Sequence, residues 1–213
     1  DFINVLYSEY LNYDPQNPEW VGRDRFYLDP GHMAPMLYAQ LALIGKYSLE
    51  ELAQLRQWGS PTTGHPEFEV ARGVENTSGP LGQGHTFAVG AAIAAKFLAA
   101  HTGNPTFAKE TIYAYISDGG IQEEISQGAA RIAAVLGLDN LIMFYDSNDI
   151  QLSTETGEVM NEDTAAKYRA LGWEVLEING NDTAEIRKAI ETAKAVTGKP
   201  TLIIGKCIMG KGA

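Results

Sequence analysis

A single cysteine, Cys207, occurs in 213 residues, so no intrachain disulfide can form and stability has to come from a buried core. Cys207 reads as a small apolar residue on a strand rather than as a nucleophile. No apolar run approaches the length of a membrane span, and no secretory leader opens the chain. Basic residues are scarce: 16 Lys and Arg against 27 Asp and Glu leave a net charge of −11. That balance argues against nucleic acid or an anionic membrane as the main partner. It leaves room for a local basic pocket facing a phosphorylated ligand. Internal repeats, low-complexity stretches and a dividing linker are also missing. Together the absences point to one cytoplasmic domain spanning 1–213. The chain begins without Met, inside the apolar "DFINVLYSEYL", and stops in the glycine-rich "GKCIMGKGA". A piece of a longer chain is therefore expected.

What is present is an alternation of two periodicities. "TIYAYI" (111–116), "NLIMFY" (140–145), "WEVLEI" (173–178) and "PTLIIGK" (200–206) are short, apolar and rich in β-branched or aromatic residues, as buried strands are. Between them lie helical segments at about 122–136, closed by Gly137, at 162–171 and at 183–197. Upstream, 33–56 is helical with a break near Gly45, and "HTFAVGAAIAAKFLAAH" (85–101) is a helix with an Ala and Gly face. "GSPTTGHPE" and "GPLGQG" are loops by composition. Strands alternating with helices predict an α/β fold, a doubly wound parallel sheet with helices on both faces.

Two of the strands end in oxygen-bearing residues: Ser117-Asp118-Gly119-Gly120 and Asp146-Ser147-Asn148-Asp149. In an open parallel sheet, ligands sit beyond the carboxyl ends of the strands. A carboxylate and an amide carbonyl there suit a hard cation, Mg²⁺ or Ca²⁺. Gly119 and Gly120 would let the backbone approach a diphosphate, with a helix N-terminus facing the anion. Alternatively, Asp118 and Asn148 are turn or cap residues, which strand-to-helix loops need anyway. On the residues alone both readings stay open. The arginines Arg23, Arg25 and Arg72 are scattered and expected to be solvated. His85 and His101, at the two ends of one helix, are expected to be structural.

"SDGGIQEE…FYDSND" resembles the thiamine-diphosphate motif, Gly-Asp-Gly followed some 30 residues on by Asn, with Ser117 in place of the first Gly. "DRFYLDPGH" (24–32), "GHPE" (64–67), "GVENTSGPLGQG" (73–84) and "EDTAAKYRALGWEV" (162–175) narrow the likeness to the amino-terminal domain of transketolase, in that family's order. The resemblance implies the thiamin diphosphate-binding fold, with thiamine diphosphate and Mg²⁺ or Ca²⁺ as cofactors. It implies metal ligation by Asp118, Asn148 and the Ile150 carbonyl. Gly119 and Asn148 would touch the diphosphate, and Gly79, Pro80 and Leu81 would line the cofactor's rings. His32 would contact cofactor and substrate, His65 the sugar hydroxyls, and Glu123 would lie near the cofactor. Gly128 stands where many relatives carry a second glutamate. The implied activity is transfer of a two-carbon ketol unit between sugar phosphates in the pentose phosphate pathway. It would be carried out by a homodimer that also contains a pyrimidine-binding domain not found in this segment. A cofactor-binding subunit of a split enzyme, and a relative such as dihydroxyacetone synthase, are the alternatives.

Overall fold

In the computed structural model, which describes residues 1–152 and 154–212, a five-stranded sheet forms the middle layer. The chain runs α1 (Phe2–Val5), β1 (Arg25–Leu28), α2 (Ala34–Leu43), α3 (Leu49–Ala53), α4 (Gln83–Thr102) and α5 (Pro105–Ala108). It continues through β2 (Ile112–Ser117), α6 (Asp118–Gln122), α7 (Glu124–Val135) and β3 (Leu141–Ser147). A two-residue-per-arm hairpin follows, β4 (Ile150–Gln151) and β5 (Thr154–Glu155). The last elements are α8 (Thr164–Leu171), β6 (Glu174–Asn179), α9 (Thr183–Ala195) and β7 (Thr201–Lys206). Among the described residues no helix is long and apolar enough to cross a membrane.

The sheet order is β1-β2-β3-β7-β6, and every pair in it is parallel. Side chains alternate between its faces, as the pleat demands. Tyr113, Tyr115, Ile142, Phe144 and Ile203 pack with α1, α2 and α9 on one face. Ile112, Ala114, Ile116, Leu141, Met143 and Leu202 pack with α4, α7 and α8 on the other. The right-handed rule for parallel crossovers accounts for the division. Steps outward from β2 to β3 and on to β6 put α7 and α8 on one face. The return from β6 to β7 puts α9 on the opposite one. The doubly wound sheet expected from the pattern is what forms.

The strand "RFYL", β1, was not foreseen, because four residues are too few to establish a period. It is an edge strand beside β2, with Leu28 opposite Tyr115. α4 packs so tightly on it that a Cβ on Gly84 would fall inside van der Waals contact of the Asp29 backbone. Two other expectations need correction. Arg23 is not solvated but buried, its Nε and Nη2 donating to the two oxygens of Glu75 at 2.7 and 2.9 Å. Arg25 pairs with the buried Glu110, and Arg72 lies 4.8 Å over the ring of Tyr47 while bonding Glu51. Cys207 lies just past β7 rather than on it, and burial with the neighbouring Asp146 carboxylate pushes its thiol up to about 12.

Gly84→Ala should lower stability by about 1–3 kcal/mol, because backbone rather than a flexible side chain occupies the space. Thermal unfolding would register this as a fall in melting temperature. No change would show that β1 and α4 are free to move apart.

Candidate functional site

The register of β2 on β3 sets Ser117 opposite Asp146. The Ser117 hydroxyl accepts from Gly120 N at 3.4 Å, so the cap of α6 is Ser117 and not Asp118. Asp118 is freed from that duty. It is 2% exposed, and its two oxygens accept from Tyr145 Oη at 2.5 Å and from Asn148 N at 3.1 Å. Asn148 Oδ1 accepts from Ile150 N at 3.0 Å, and its Nδ2 donates to Asp146 Oδ1 at 3.3 Å. The two strand ends therefore meet in one hydrogen-bonded cluster. Burial holds the Asp118 carboxyl above its usual range, with the Asp146 and Asp149 charges adding to it. The two donated bonds work the other way. Among the described residues there is no group of three or more His, Cys, Asp or Glu able to hold a metal. A cation here would have to be bound by a mixed oxygen set.

The second wall of the site is built from β1. As an edge strand, β1 has backbone groups that no other strand satisfies. The Asn76 side chain takes that place: Leu28 N donates to its Oδ1 at 3.1 Å, and its Nδ2 donates to Leu28 O at 3.0 Å. Ser78 Oγ donates to the same carbonyl at 2.6 Å. With the buried Arg23–Glu75 pair, these bonds fix residues 75–78 along the strand, and Gly79, Pro80 and Leu81 follow past its carboxyl end. A Cβ on Gly31 would lie 2.6 Å from His65 Cδ2 and 2.8 Å from Gly79 N. Only glycine fits there, and it brings the loops of His32, His65 and Gly79 together. A Cβ on Gly119 would touch Leu81 Cδ1 at 3.0 Å, and one on Gly82 would meet Glu123 Cβ at 2.9 Å. The glycine loop thus abuts both the Asp118 loop and Glu123.

His32, His65 and Glu123 are exposed. Desolvation of the ring by its neighbours, with His65 and Arg56 nearby, lowers the pKa of His32 below the usual imidazole value and favours its neutral form. Thr63 Oγ1 donates to the His65 carbonyl at 2.5 Å, and Tyr38 reaches Thr63 at 2.9 Å, which steadies that loop from α2. His85 is fully buried, and burial lowers it to about 4. It is a neutral core residue facing Trp173 edge-on at 6.0 Å. His101 stacks on Phe97.

One residue escaped the sequence reading. Asp29, at the end of β1, is 1% exposed. Its Oδ1 accepts from His85 N at 3.3 Å, and the amides of Gly82 and Gly84 also face the carboxylate. α4 begins after Gly82, which has no side chain to cap it, so Asp29 caps this 20-residue helix from another element. Among the described residues its Oδ2 has no partner, and it points at Gly120, where a Cβ would collide with it. Burial raises Asp29 to about 6; the three amides counter it and the Glu123 charge reinforces it. The sequence signal was an acid one step beyond a strand, but without β1 there was no strand end to attach it to.

An open parallel sheet with oxygen-bearing side chains gathered past neighbouring strand ends belongs to the α/β class whose ligands sit beyond the carboxyl ends of the strands. Comparison makes the assignment specific. A family profile described as "Transketolase, thiamine diphosphate binding domain" matches residues 1–213. The chain is 43% identical over 217 residues to transketolase 1 of Escherichia coli, covering all of this chain and 33% of that protein. It is 44% identical over 213 residues to the transketolase of Geobacillus stearothermophilus, covering 98% of this chain and 32% of that one. The solved transketolase of Leishmania mexicana superimposes with a TM-score of 0.90 at 42% identity, over 95% of this chain and 31% of that chain. The chain belongs to the transketolase thiamine diphosphate binding domain family, and it spans about a third of the length of the relatives it matches.

Asp29→Asn keeps the capping acceptor and removes the ionisation. Because the folded-state value is raised, the folded state binds the extra proton between about 4 and 6, and the wild type loses stability as pH rises through that window. The variant should therefore gain melting temperature relative to wild type at pH 7 and less at pH 5. A difference independent of pH would remove the carboxyl from its buried, raised state.

Proposed function

We propose that this chain is the diphosphate-binding part of a transketolase, an enzyme that moves a two-carbon ketol unit from a ketose phosphate to an aldose phosphate. The observation that carries the reading is the meeting of Asp118 and Asn148 past adjacent strand ends, with Leu81 of the glycine loop against Gly119. The donors fit a divalent cation, Mg²⁺ or Ca²⁺: one carboxylate, one amide oxygen and the Ile150 carbonyl, all hard, with places left for diphosphate oxygens. A cation would also favour the ionised form of Asp118, which burial now disfavours. Residues 1–213 would act as one unit of a longer chain, and the rest of the relatives' length would hold the pyrimidine-binding domain. A cytoplasmic place in the pentose phosphate pathway goes with the same reading.

Bound thiamine diphosphate supplies the stabilisation of carbanion character that cleaving a carbon–carbon bond beside a carbonyl requires. The chain's own residues bind, orient and handle protons. Gly119 and Asn148 would hold the diphosphate, and Gly79, Pro80 and Leu81 would give the rings a flat wall of backbone and two apolar side chains. A neutral His32 has one nitrogen to donate and one to accept, so it can hold a hydroxyl and pass its proton. His65, on the neighbouring loop, would hold sugar hydroxyls. Glu123, beside Gly82, would present a carboxylate at the cofactor's edge.

The outer faces of α4 and α7 expose Phe87, Phe97, Ile125, Ile132 and Val135, a surface suited to a second copy. Sedimentation of the complete protein should give a dimer, and Phe97→Glu with Ile132→Glu should shift it toward monomer. A dimer that survives both charges would place the contact elsewhere.

Two variants of the complete protein separate the roles. Asp118→Ala should lose cation-dependent thiamine diphosphate binding by at least about 100-fold in a calorimetric titration. His65→Ala should keep cofactor affinity and lower turnover by about 10²–10³-fold. Unchanged binding in the first would remove Asp118 from the cation site. Lost affinity with normal turnover at saturation in the second would contradict the sugar-contacting role.

A further inference from the structure

Asn148 differs from the other donors of the candidate cation site because an amide can turn over without changing shape, exchanging an acceptor for a donor. Two bonds decide its orientation. Ile150 N–H donates to Oδ1 at 3.0 Å, and Nδ2 donates to Asp146 Oδ1 at 3.3 Å. Turned over, the amide would set N–H against N–H on one side and oxygen against carboxylate on the other. Asp146 is itself held: its Oδ2 accepts from Tyr115 Oη at 2.9 Å, and both residues are buried near the carboxyl ends of β2 and β3.

We propose that Asp146, braced by Tyr115, is a positioning residue for the cation: it keeps the amide nitrogen of Asn148 on its own side, and so leaves Oδ1 as the donor that stands with Asp118. The proposal rests on the cation-diphosphate reading above. Its physical content is distinct from attraction by one more negative charge. Orientation needs an acceptor oxygen facing Nδ2 and does not need the charge. An asparagine at 146 supplies that oxygen, and its own nitrogen can donate to the Tyr115 hydroxyl, which accepts as well as it donates. Misorientation of a coordinating group by loss of its outer partner typically costs about 10–100-fold in metal affinity. Asp146 and Tyr115 also border a cavity of about 270 Å³ with Cys207 and Asn181, so shortening Asp146 enlarges an existing space rather than opening a new one in tight packing.

The test is a calorimetric titration of Mg²⁺ into the complete protein with saturating thiamine diphosphate. Melting of the metal-free variants serves as the readout of folding. Asp146→Ala should weaken Mg²⁺ about 10–100-fold, and Asp146→Asn should stay within about threefold of wild type. Tyr115→Phe, which leaves the carboxylate in place but unbraced, should fall between them and covers the case in which Asp146→Ala does not fold. Asp118→Ala is run beside them. If it loses Mg²⁺ while Asp146→Ala and Tyr115→Phe bind normally, the positioning role is overturned and the cation site stands. Asp146→Asn as weak as Asp146→Ala would replace orientation by charge and overturn the proposal as well. Normal Mg²⁺ binding by Asp118→Ala would bring down the cation site and the proposal together.

Discussion

The parallel register of β2 against β3 is the constraint on which the site depends. It sets Ser117 level with Asp146 and lets the backbone of Asn148 reach the Asp118 carboxylate. A slip of one residue would turn Asp118 toward the other face of the sheet and separate it from Asn148. What prevents the slip is the alternation of buried side chains: Tyr113 and Tyr115 with Ile142 and Phe144 on one face, Ile112, Ala114 and Ile116 with Leu141 and Met143 on the other. The packing of the middle of the sheet thus decides the chemistry at its end.

Around that fixed edge, the other parts are positioned by side chains that do the work of missing backbone partners. Asn76 satisfies an unpaired strand, Asp29 caps a helix that has only glycine before it, and Ser117 caps the short helix that carries Asp118. Asn76 and Asp29 each reach from one segment to another distant in the chain, and Ser117 bonds within its own turn. At this rim two carboxyls, Asp29 and Asp118, are held above their usual range by burial.

The sheet, its helices and the meeting of Asp118 with Asn148 were legible in the sequence because long apolar runs declare buried strands and their ends are easy to mark. The converging loops of His32, His65 and Gly79 could be proposed only through family likeness. Their proximity is a tertiary fact, produced by Gly31, with no local pattern of its own. β1 was invisible because four residues show no period, and Asp29 was lost with it. Arg23 was misjudged for a different reason: its partner, Glu75, lies 52 residues away, and nothing near Arg23 announces burial. Tyr115 read simply as an apolar strand residue, since a hydroxyl that bonds across a register shows no separate sign in one strand.

The Asn76 bracket on Leu28 has a meaning for solubility. An uncovered parallel edge offers a row of amides and carbonyls to any other chain in extended form, and it is the usual starting point of edge-to-edge aggregation. Here the Leu28 amide and carbonyl are occupied by the segment that leads into Gly79, Pro80 and Leu81. On the proposed reading that stretch is bound by two demands at once, shaping a ligand wall and closing an edge. A change that loosens it to admit a different ligand would also leave the edge open to its neighbours.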